Sequence, residues 1–446
     1  MKNKIISNNN SKWLLFTLCF IVLLGPMNAV LFNVALADIS KDLSISPSKA
    51  SWIVVGYSLV VGIGSMVYGK LADRFSVKKL LIISIVLFIL GSVLGFSNQS
   101  YGIVIFARLL QASGGAAFIA LGMVSVAKMF EPEKRPGALA MISSSIALAV
   151  GIGPLVGGAI TNTLGWPYLF LIMVISVVGI GLLMKFMPKY EESHSSEPFH
   201  FDFTGAIILF ALIATILLGI NINSLMFVLS LVLLFLFKVR MTKAKYPFID
   251  IELFNNKPFL RLITIGFIMN VALCANLLLI PLLLVERNGI SPFFIGILLF
   301  IASLFGIVSS ILTGKIIPTF GNIKMINVST IIMIFGFLVL GLFSNANVFV
   351  ILIAEILTFM SYSAIQVSLN TLIPKTLNAS KIGVGLGLYN LLNFVGMAFG
   401  PAIASKIMEL TNSYSMNFLL ISLSLVIHFL LLFKLFAVQS KVINAE

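Results

Sequence analysis

Apolar residues run in long blocks along this chain, broken only by short polar stretches. A helix needs about 20 apolar residues to cross a bilayer's hydrocarbon core. Blocks of that kind lie at 13–37, 50–72, 77–97, 101–125, 137–161 and 166–187, then at 203–220 and 223–240. Six more follow at 259–284, 291–315, 323–344, 346–370, 381–408 and 414–438. The pattern predicts an all-α membrane protein of fourteen spanning helices in the order six, two, six. The longest polar stretches, Pro188–Asp202 and Met241–Pro258, flank the central pair, and neither is long enough to fold alone. Three regions are therefore expected: a six-helix bundle over 1–190, two additional helices with their linkers over 191–258, and a second bundle over 259–446.

Composition sharpens this. Of 446 residues 59% are hydrophobic and 10% charged, against about 25% charged in soluble domains. The net charge of +14 is not gathered into a soluble basic arm, which excludes a nucleic-acid partner. Lys70, Arg74, Lys78, Lys79, Lys128, Lys134 and Arg135 sit at one set of segment ends. The opposite ends carry little beyond Lys41, Lys49, Arg287 and Lys406. That asymmetry predicts both termini in the cytoplasm, and the residue mix rich in Ile, Asn and Lys points to an AT-rich bacterium and so to a bacterial cell membrane. The first block ends on Ala35-Leu36-Ala37 before Asp38, as a cleaved leader does. It is far longer than the roughly 7–15 residues of a leader's apolar core, and is read as an uncleaved first helix. Cys19 and Cys274 fall within apolar blocks, and the three histidines are scattered, so no disulfide, metal site or cofactor is expected. No Walker-type glycine loop is present; Gly383-Val384-Gly385-Leu386-Gly387 opens a helix without a preceding strand.

The two halves repeat. Gly69-Lys70-Leu71 with Phe75 and Lys79 matches Gly314-Lys315-Ile316 with Phe320 and Lys324. Ala107-Arg108-Leu109-Leu110 matches Ala354-Glu355-Ile356-Leu357, and Gly153-Pro154 matches Gly400-Pro401. Nearly constant offsets between equivalent helices imply two related six-helix bundles with a substrate site between them.

The repeated segments also resemble a known family. Gly69-Lys70-Leu71-Ala72-Asp73-Arg74-Phe75-Ser76-Val77-Lys78-Lys79 is similar to the loop signature that follows the second helix in the major facilitator superfamily. Arg108-Leu109-Leu110-Gln111-Ala112-Ser113-Gly114-Gly115 resembles its fourth-helix motif, and Gly151-Ile152-Gly153-Pro154-Leu155-Val156-Gly157-Gly158 the fifth-helix motif of its antiporters. Asn33-Val34-Ala35-Leu36 resembles the first-helix signature of the fourteen-helix drug:proton antiporter branch, and the whole pattern is similar to staphylococcal-type multidrug and tetracycline exporters. Three positions depart from those patterns. Asn28 stands where the branch usually has an aspartate, and Ser76 and Ala112 stand where glycine is usual. The resemblance implies a major facilitator fold, no enzymatic activity, and proton-coupled export of lipophilic, often cationic drugs by a monomer.

Several residues carry candidate chemistry. Arg108 and Glu355 lie about 10–14 Å of helical rise inside their helices, where charge is costly and marks function or mutual pairing. Glu355 alone among the fifteen Asp and Glu residues falls well inside an apolar block. Burial favours a carboxylate's neutral form and a nearby cation its charged form, so a conformational change can load and unload a proton. Glu355, Arg108 and Asp73 are therefore the candidate proton-coupling set, with a static Arg108–Glu355 salt bridge as the competing reading. Gly69, Asp73 and Arg74 form a candidate cytoplasmic latch, or else a solvated anchor. Gly153, Pro154, Gly157, Gly400 and Pro401 permit close helix approach and a bend, as gating points or as ordinary packing. Asn28, Asn33, Tyr57, Asn270, Asn276, Tyr362, Gln366, Asn390 and Asn393 are candidate substrate ligands, with helix–helix hydrogen bonding as the alternative. Set beside the multidrug reading are a carrier of one antibiotic or metabolite and a non-transporting sensor of the same fold.

Overall fold

A computed structural model describes residues 8–443 apart from 73, 98–99, 132–133, 189–201, 245–246, 250, 345–346 and 379–381. The chain forms two compact units, Met1–Phe248 with Ile290–Ile297, and Ile249–Gly289 with Leu298–Glu446.

The first unit holds α1 (Asn8–Leu31), α2 (Leu36–Asp42), α3 (Pro47–Leu71), α4 (Val77–Ser97), α5 (Tyr101–Met129) and α6 (Arg135–Thr163). It continues through α7 (Tyr168–Ile172), α8 (Val177–Phe186), α9 (Phe203–Asn221) and α10 (Met226–Lys243). Two predicted spans are interrupted by a tighter turn. A 3₁₀ segment at Asn33–Ala35 joins α1 to α2, and another at Met173–Ser176 joins α7 to α8. Starts follow local chemistry: Ser46 precedes Pro47 at the head of α3 and accepts from the Lys49 amide at 3.3 Å.

Small residues set the closest approaches, as expected where lipid removes any hydrophobic drive between helices. A Cβ on Gly91 would lie 2.7 Å from the Ala107 carbonyl, so α4 and α5 touch backbone to backbone. On Gly115 it would meet the Tyr57 hydroxyl at 2.7 Å. Gly91 on α4 and Gly115 on α5 thus let α5 press against α4 and α3.

The second unit contains α11 (Lys257–Asn288), most of α12 (Pro292–Phe320), α13 (Asn322–Leu342), α14 (Val348–Leu372), α15 (Ile382–Thr411) and α16 (Tyr414–Ile443). Asn256 caps α11 by accepting from the Phe259 amide at 3.0 Å, and Gly289 ends it at φ 60°, a backbone that glycine adopts without strain. α11 lies on α15, and α13 on α14, where Gly336 sits beneath Thr358.

Helix occurs at every predicted place. Among the described residues twelve stretches are long and apolar enough to cross a membrane, two fewer than the fourteen spans expected. α10 and α16 are the two outside that set. α10 carries Lys238, Arg240 and Lys243, and its 18 residues rise about 27 Å, short of a core about 30 Å thick. α10 nonetheless exposes Leu231 and Phe235 at 66% each, and α14 exposes Phe349 at 73%. Apolar surface on this scale requires lipid as its solvent.

Candidate functional site

Each unit carries a fully buried charge well inside an apolar helix. In the first unit this is Arg108, 0% exposed on α5. Its planar guanidinium points donors in three directions. Nε donates to the Ile53 carbonyl of α3 at 3.0 Å, Nη1 to Gln111 Oε1 at 3.0 Å and Nη2 to the Asn28 carbonyl of α1 at 3.2 Å. Above and below, the rings of Phe32 and Tyr57 lie 4.1 and 4.2 Å from Cζ, within cation–π range. Gln111 passes the network on to Ser92 of α4 at 2.8 Å, and Tyr57 donates to the Gly25 carbonyl at 3.2 Å. Every partner of the cation is neutral, so four helices converge on a buried positive charge.

In the second unit the charge is Glu355, 0% exposed on α14. Both carboxylate oxygens accept from one atom, Nδ2 of Asn276 on α11, at 2.8 Å each. Arg108 and Glu355 are thus each satisfied by neutral partners inside their own unit, and the static salt bridge between them is not needed to account for either. About two turns further along α14 a chain of neutral side chains begins. Tyr362 donates to Asn270 Oδ1 at 3.0 Å, Asn270 donates to Asn393 Oδ1 at 3.0 Å, Gln366 donates to Tyr362 at 3.2 Å and Tyr389 to Gln366 at 2.5 Å.

The nine candidate substrate ligands therefore divide. Asn28, Asn33, Tyr57, Asn270 and Asn276 are buried, and no ligand can touch them unless helices separate. Asn28 and Tyr57 serve Arg108, and Asn276 serves Glu355. Asn33 sits in the 3₁₀ turn after α1 with its Oδ1 buried and unpartnered. Tyr362, Gln366, Asn390 and Asn393 are partly exposed.

The gating candidates divide as well. Asp73 lies outside the described residues. Gly69, in the last turn of α3, has open space where a Cβ would be, as does its repeat Gly314, so neither glycine is there for close packing. Arg74 follows in the turn, its amide on the Leu71 carbonyl at 3.1 Å, and Lys128 of α5 donates to the Ala72 carbonyl beside it. The Gly-Pro segments are tight. Gly153 of α6 faces Met27 of α1, whose carbonyl oxygen would be 3.2 Å from a Cβ, and Gly157 faces Leu31. Gly400 of α15 faces the Val271 carbonyl of α11 most closely, and the Ala275 amide nitrogen would be 2.7 Å from a Cβ. Pro154 and Pro401 lie within α6 and α15, each removing one helical hydrogen bond. In both units the Gly-Pro helix packs on the helix whose asparagine meets the buried charge, α6 on α1 and α15 on α11.

Residues 18–401 match the family described as the Major Facilitator Superfamily. The chain belongs to the Major Facilitator Superfamily. It is a multi-pass membrane transporter rather than an enzyme. It is 24% identical over 420 residues to the riboflavin transporter RibZ of Clostridioides difficile (strain 630), covering 91% of this chain and 90% of that one. To the putative multidrug resistance protein MdtD of Klebsiella pneumoniae (strain 342) it is 25% identical over 424 residues, covering 91% and 88%. Among solved structures it resembles a bacterial homolog of the human lysosomal transporter Spinster in an inward-facing, unoccupied conformation, with TM-score 0.65, 13% identity and coverage of 95% and 96%. That likeness is one of fold.

Two parts of these sites escaped the sequence. Phe32 is one of 38 phenylalanines and only packing singles it out as a face for Arg108. Asp202 reads as loop. It is nevertheless buried, caps α9 through the Gly205 amide at 2.9 Å, and binds Arg240 of α10 at 2.9 Å. An Asp three residues ahead of a glycine, just before an apolar run, was the available signal.

Proposed function

We propose that this chain is a proton-coupled multidrug antiporter of the fourteen-helix arrangement. It exports lipophilic, often cationic compounds across a bacterial cytoplasmic membrane, as a monomer with both termini inside. The observation that carries the reading is Glu355, a fully buried carboxylate whose partner is a neutral amide rather than a cation. Such a group is most cheaply buried when protonated and most cheaply ionised when water or a cation reaches it. One conformation loads the proton and the other exchanges it for a cationic substrate. The resistance-type relative in Klebsiella supports drugs as cargo. In this reading residues 191–258 are an insertion between bundles at 1–190 and 259–446, and α10 and α16 complete the fourteen spans. Asp73 and Arg74 latch the cytoplasmic side. Gly153-Pro154, Gly157 and Gly400-Pro401 bend during exchange, and Tyr362, Gln366, Asn390 and Asn393 contact substrate.

A second reading, a carrier of one compound, is favoured by the riboflavin transporter in Clostridioides difficile, which matches along nine-tenths of both chains. Everted vesicles energised to an acid interior separate the two. Ethidium, a fluoroquinolone, tetracycline and riboflavin are added in turn while release of internal protons is followed. Release with several unrelated compounds, lost in Glu355→Gln, is the expected result. Release with one compound alone moves the dedicated carrier to the front. Release that survives Glu355→Gln removes Glu355 from coupling.

A further inference from the structure

The bond between Asn276 and Glu355 has an asymmetry. Nδ2 is shared equally between the two carboxylate oxygens, at 2.8 Å each, while Oδ1 of the same amide is buried and accepts from nothing. A buried acceptor left unpaired costs about 1–3 kcal/mol; Asn28 and Asn33 leave an Oδ1 unpaired as well, but the Asn276 amide also grips a carboxylate that can itself become a donor. A carboxylic acid is such a donor.

Asn276 is also mechanically placed. Gly400 of α15 presses on the Val271 carbonyl and on the amide of Ala275, the chain neighbour of Asn276, and Pro281 removes a helical hydrogen bond from α11 just over one turn later. The first unit has the same layout with different chemistry. Gly153 seats on Val30 and Met27, and between them Asn28 gives its backbone carbonyl to Arg108. There the charge is fixed, and two backbone carbonyls and the Gln111 side chain hold it. At the repeated position in the second unit the charge can be removed by a proton, and a side-chain amide holds it.

We infer that Asn276 is a positioning residue that binds Glu355 in both protonation states and passes the difference to α11. With Glu355 ionised, Nδ2–H bridges the two oxygens as seen. When Glu355 takes a proton from water onto one oxygen, a modest turn of the amide makes a closed pair. The acid O–H donates to Oδ1, and Nδ2–H donates to the remaining carbonyl oxygen. No bond of Asn276 itself is made or broken. The turn is felt at Ala275, where α15 leaves no slack. The inference rests on reading Glu355 as the proton-carrying carboxyl.

Other ionisable groups on the packed elements are not bonded to it. α11 brings Cys274, with Lys257 and Arg261 near its start and Glu286 and Arg287 near its end. α12 brings Lys315, α13 Lys324 and α15 Tyr389, and Tyr362 of α14 itself is engaged with Asn270. Among the described residues the hydrogen bonds to the Glu355 carboxylate are the two from Asn276.

Infrared difference spectra of the purified full chain, taken between alkaline and acidic buffer, read this state directly. Wild type should show the carbonyl band of a protonated carboxylic acid, and Glu355→Gln should lose it. In Asn276→Leu the band should move to higher wavenumber, because its carbonyl no longer accepts Nδ2–H. Asn276→Ser, which offers one hydroxyl in place of the amide pair, should show a smaller move and serves if the leucine variant does not fold. A band that stays in place in both variants overturns the role of Asn276. A wild-type spectrum with no band lost in Glu355→Gln overturns the proton site itself. If none of the drugs triggers proton release while the band shifts, the multidrug reading is refuted and this inference stands; drug-driven release beside an unmoved band would do the reverse.

Discussion

Replacing Arg108 by lysine keeps the buried positive charge and removes the planar fork. The guanidinium meets the Ile53 carbonyl, Gln111 Oε1 and the Asn28 carbonyl at 3.0, 3.0 and 3.2 Å, on three different helices. An ammonium is a single point at the end of a flexible stem and cannot occupy three separated donor positions. At least one of these bonds, and by geometry two, must be given up. Hydrogen bonds to charged groups contribute about 1.5–3 kcal/mol each, so the loss is about 2–5 kcal/mol. The two aromatic faces still attract a cation and return part of it. At about 2–4 °C per kcal/mol for a domain near this size, the midpoint of heat-induced loss of the folded peak should fall by roughly 5–15 °C. The measurement is size-exclusion of detergent-solubilised protein after heating at a fixed rate, since such unfolding is operationally a rate. Arg240→Lys is the comparison, because that side chain is 43% exposed in its ion pair and should change far less. An Arg108→Lys midpoint within the scatter of wild type would refute the three-way fork as the reason this charge tolerates burial.

Other expectations follow from the same contacts. Gly400→Ala places a methyl 2.7 Å from the Ala275 amide nitrogen, an overlap that costs about 1–3 kcal/mol; it should lower the same midpoint and slow transport, while Gly69→Ala, with open space around its Cβ, should leave the midpoint unchanged. Asp202→Ala removes the α9 cap and the partner of Arg240 together; cap loss alone costs about 0.5–2 kcal/mol, and protease cutting near α9 and α10 should become faster. Tyr389→Phe breaks the bond to Gln366 and should cost about 1 kcal/mol, read as a small fall in the heating midpoint. If Tyr362 and Gln366 hold substrate, the same change should weaken drug-driven proton release without abolishing it.

Helix positions were legible in the sequence because lipid imposes a length and a composition on every span, and fourteen apolar blocks became helix at fourteen places. The count of helices able to cross was less legible. Apolar runs do not weigh three terminal cations on a helix already shorter than the core is thick, which is the case of α10. Arg108 and Glu355 also stood out at once, because charge inside an apolar block is expensive whatever the fold. Their partners did not. Hydrogen bonds between helices join residues 79 and 80 positions apart, Asn276 to Glu355 and Asn28 to Arg108. Their distances depend on which faces the helices turn towards each other. One asparagine looks like another in sequence, so Asn28, Asn270 and Asn276 read alike as ligand candidates. Packing alone decided that the first gives its backbone carbonyl to a cation and its side chain to Gln111, the second joins a neutral chain and the third grips a carboxylate. The sequence determined where charge is buried, through the cost of burying it. The tertiary structure decided what that charge touches, through the small residues that fix how closely the helices approach.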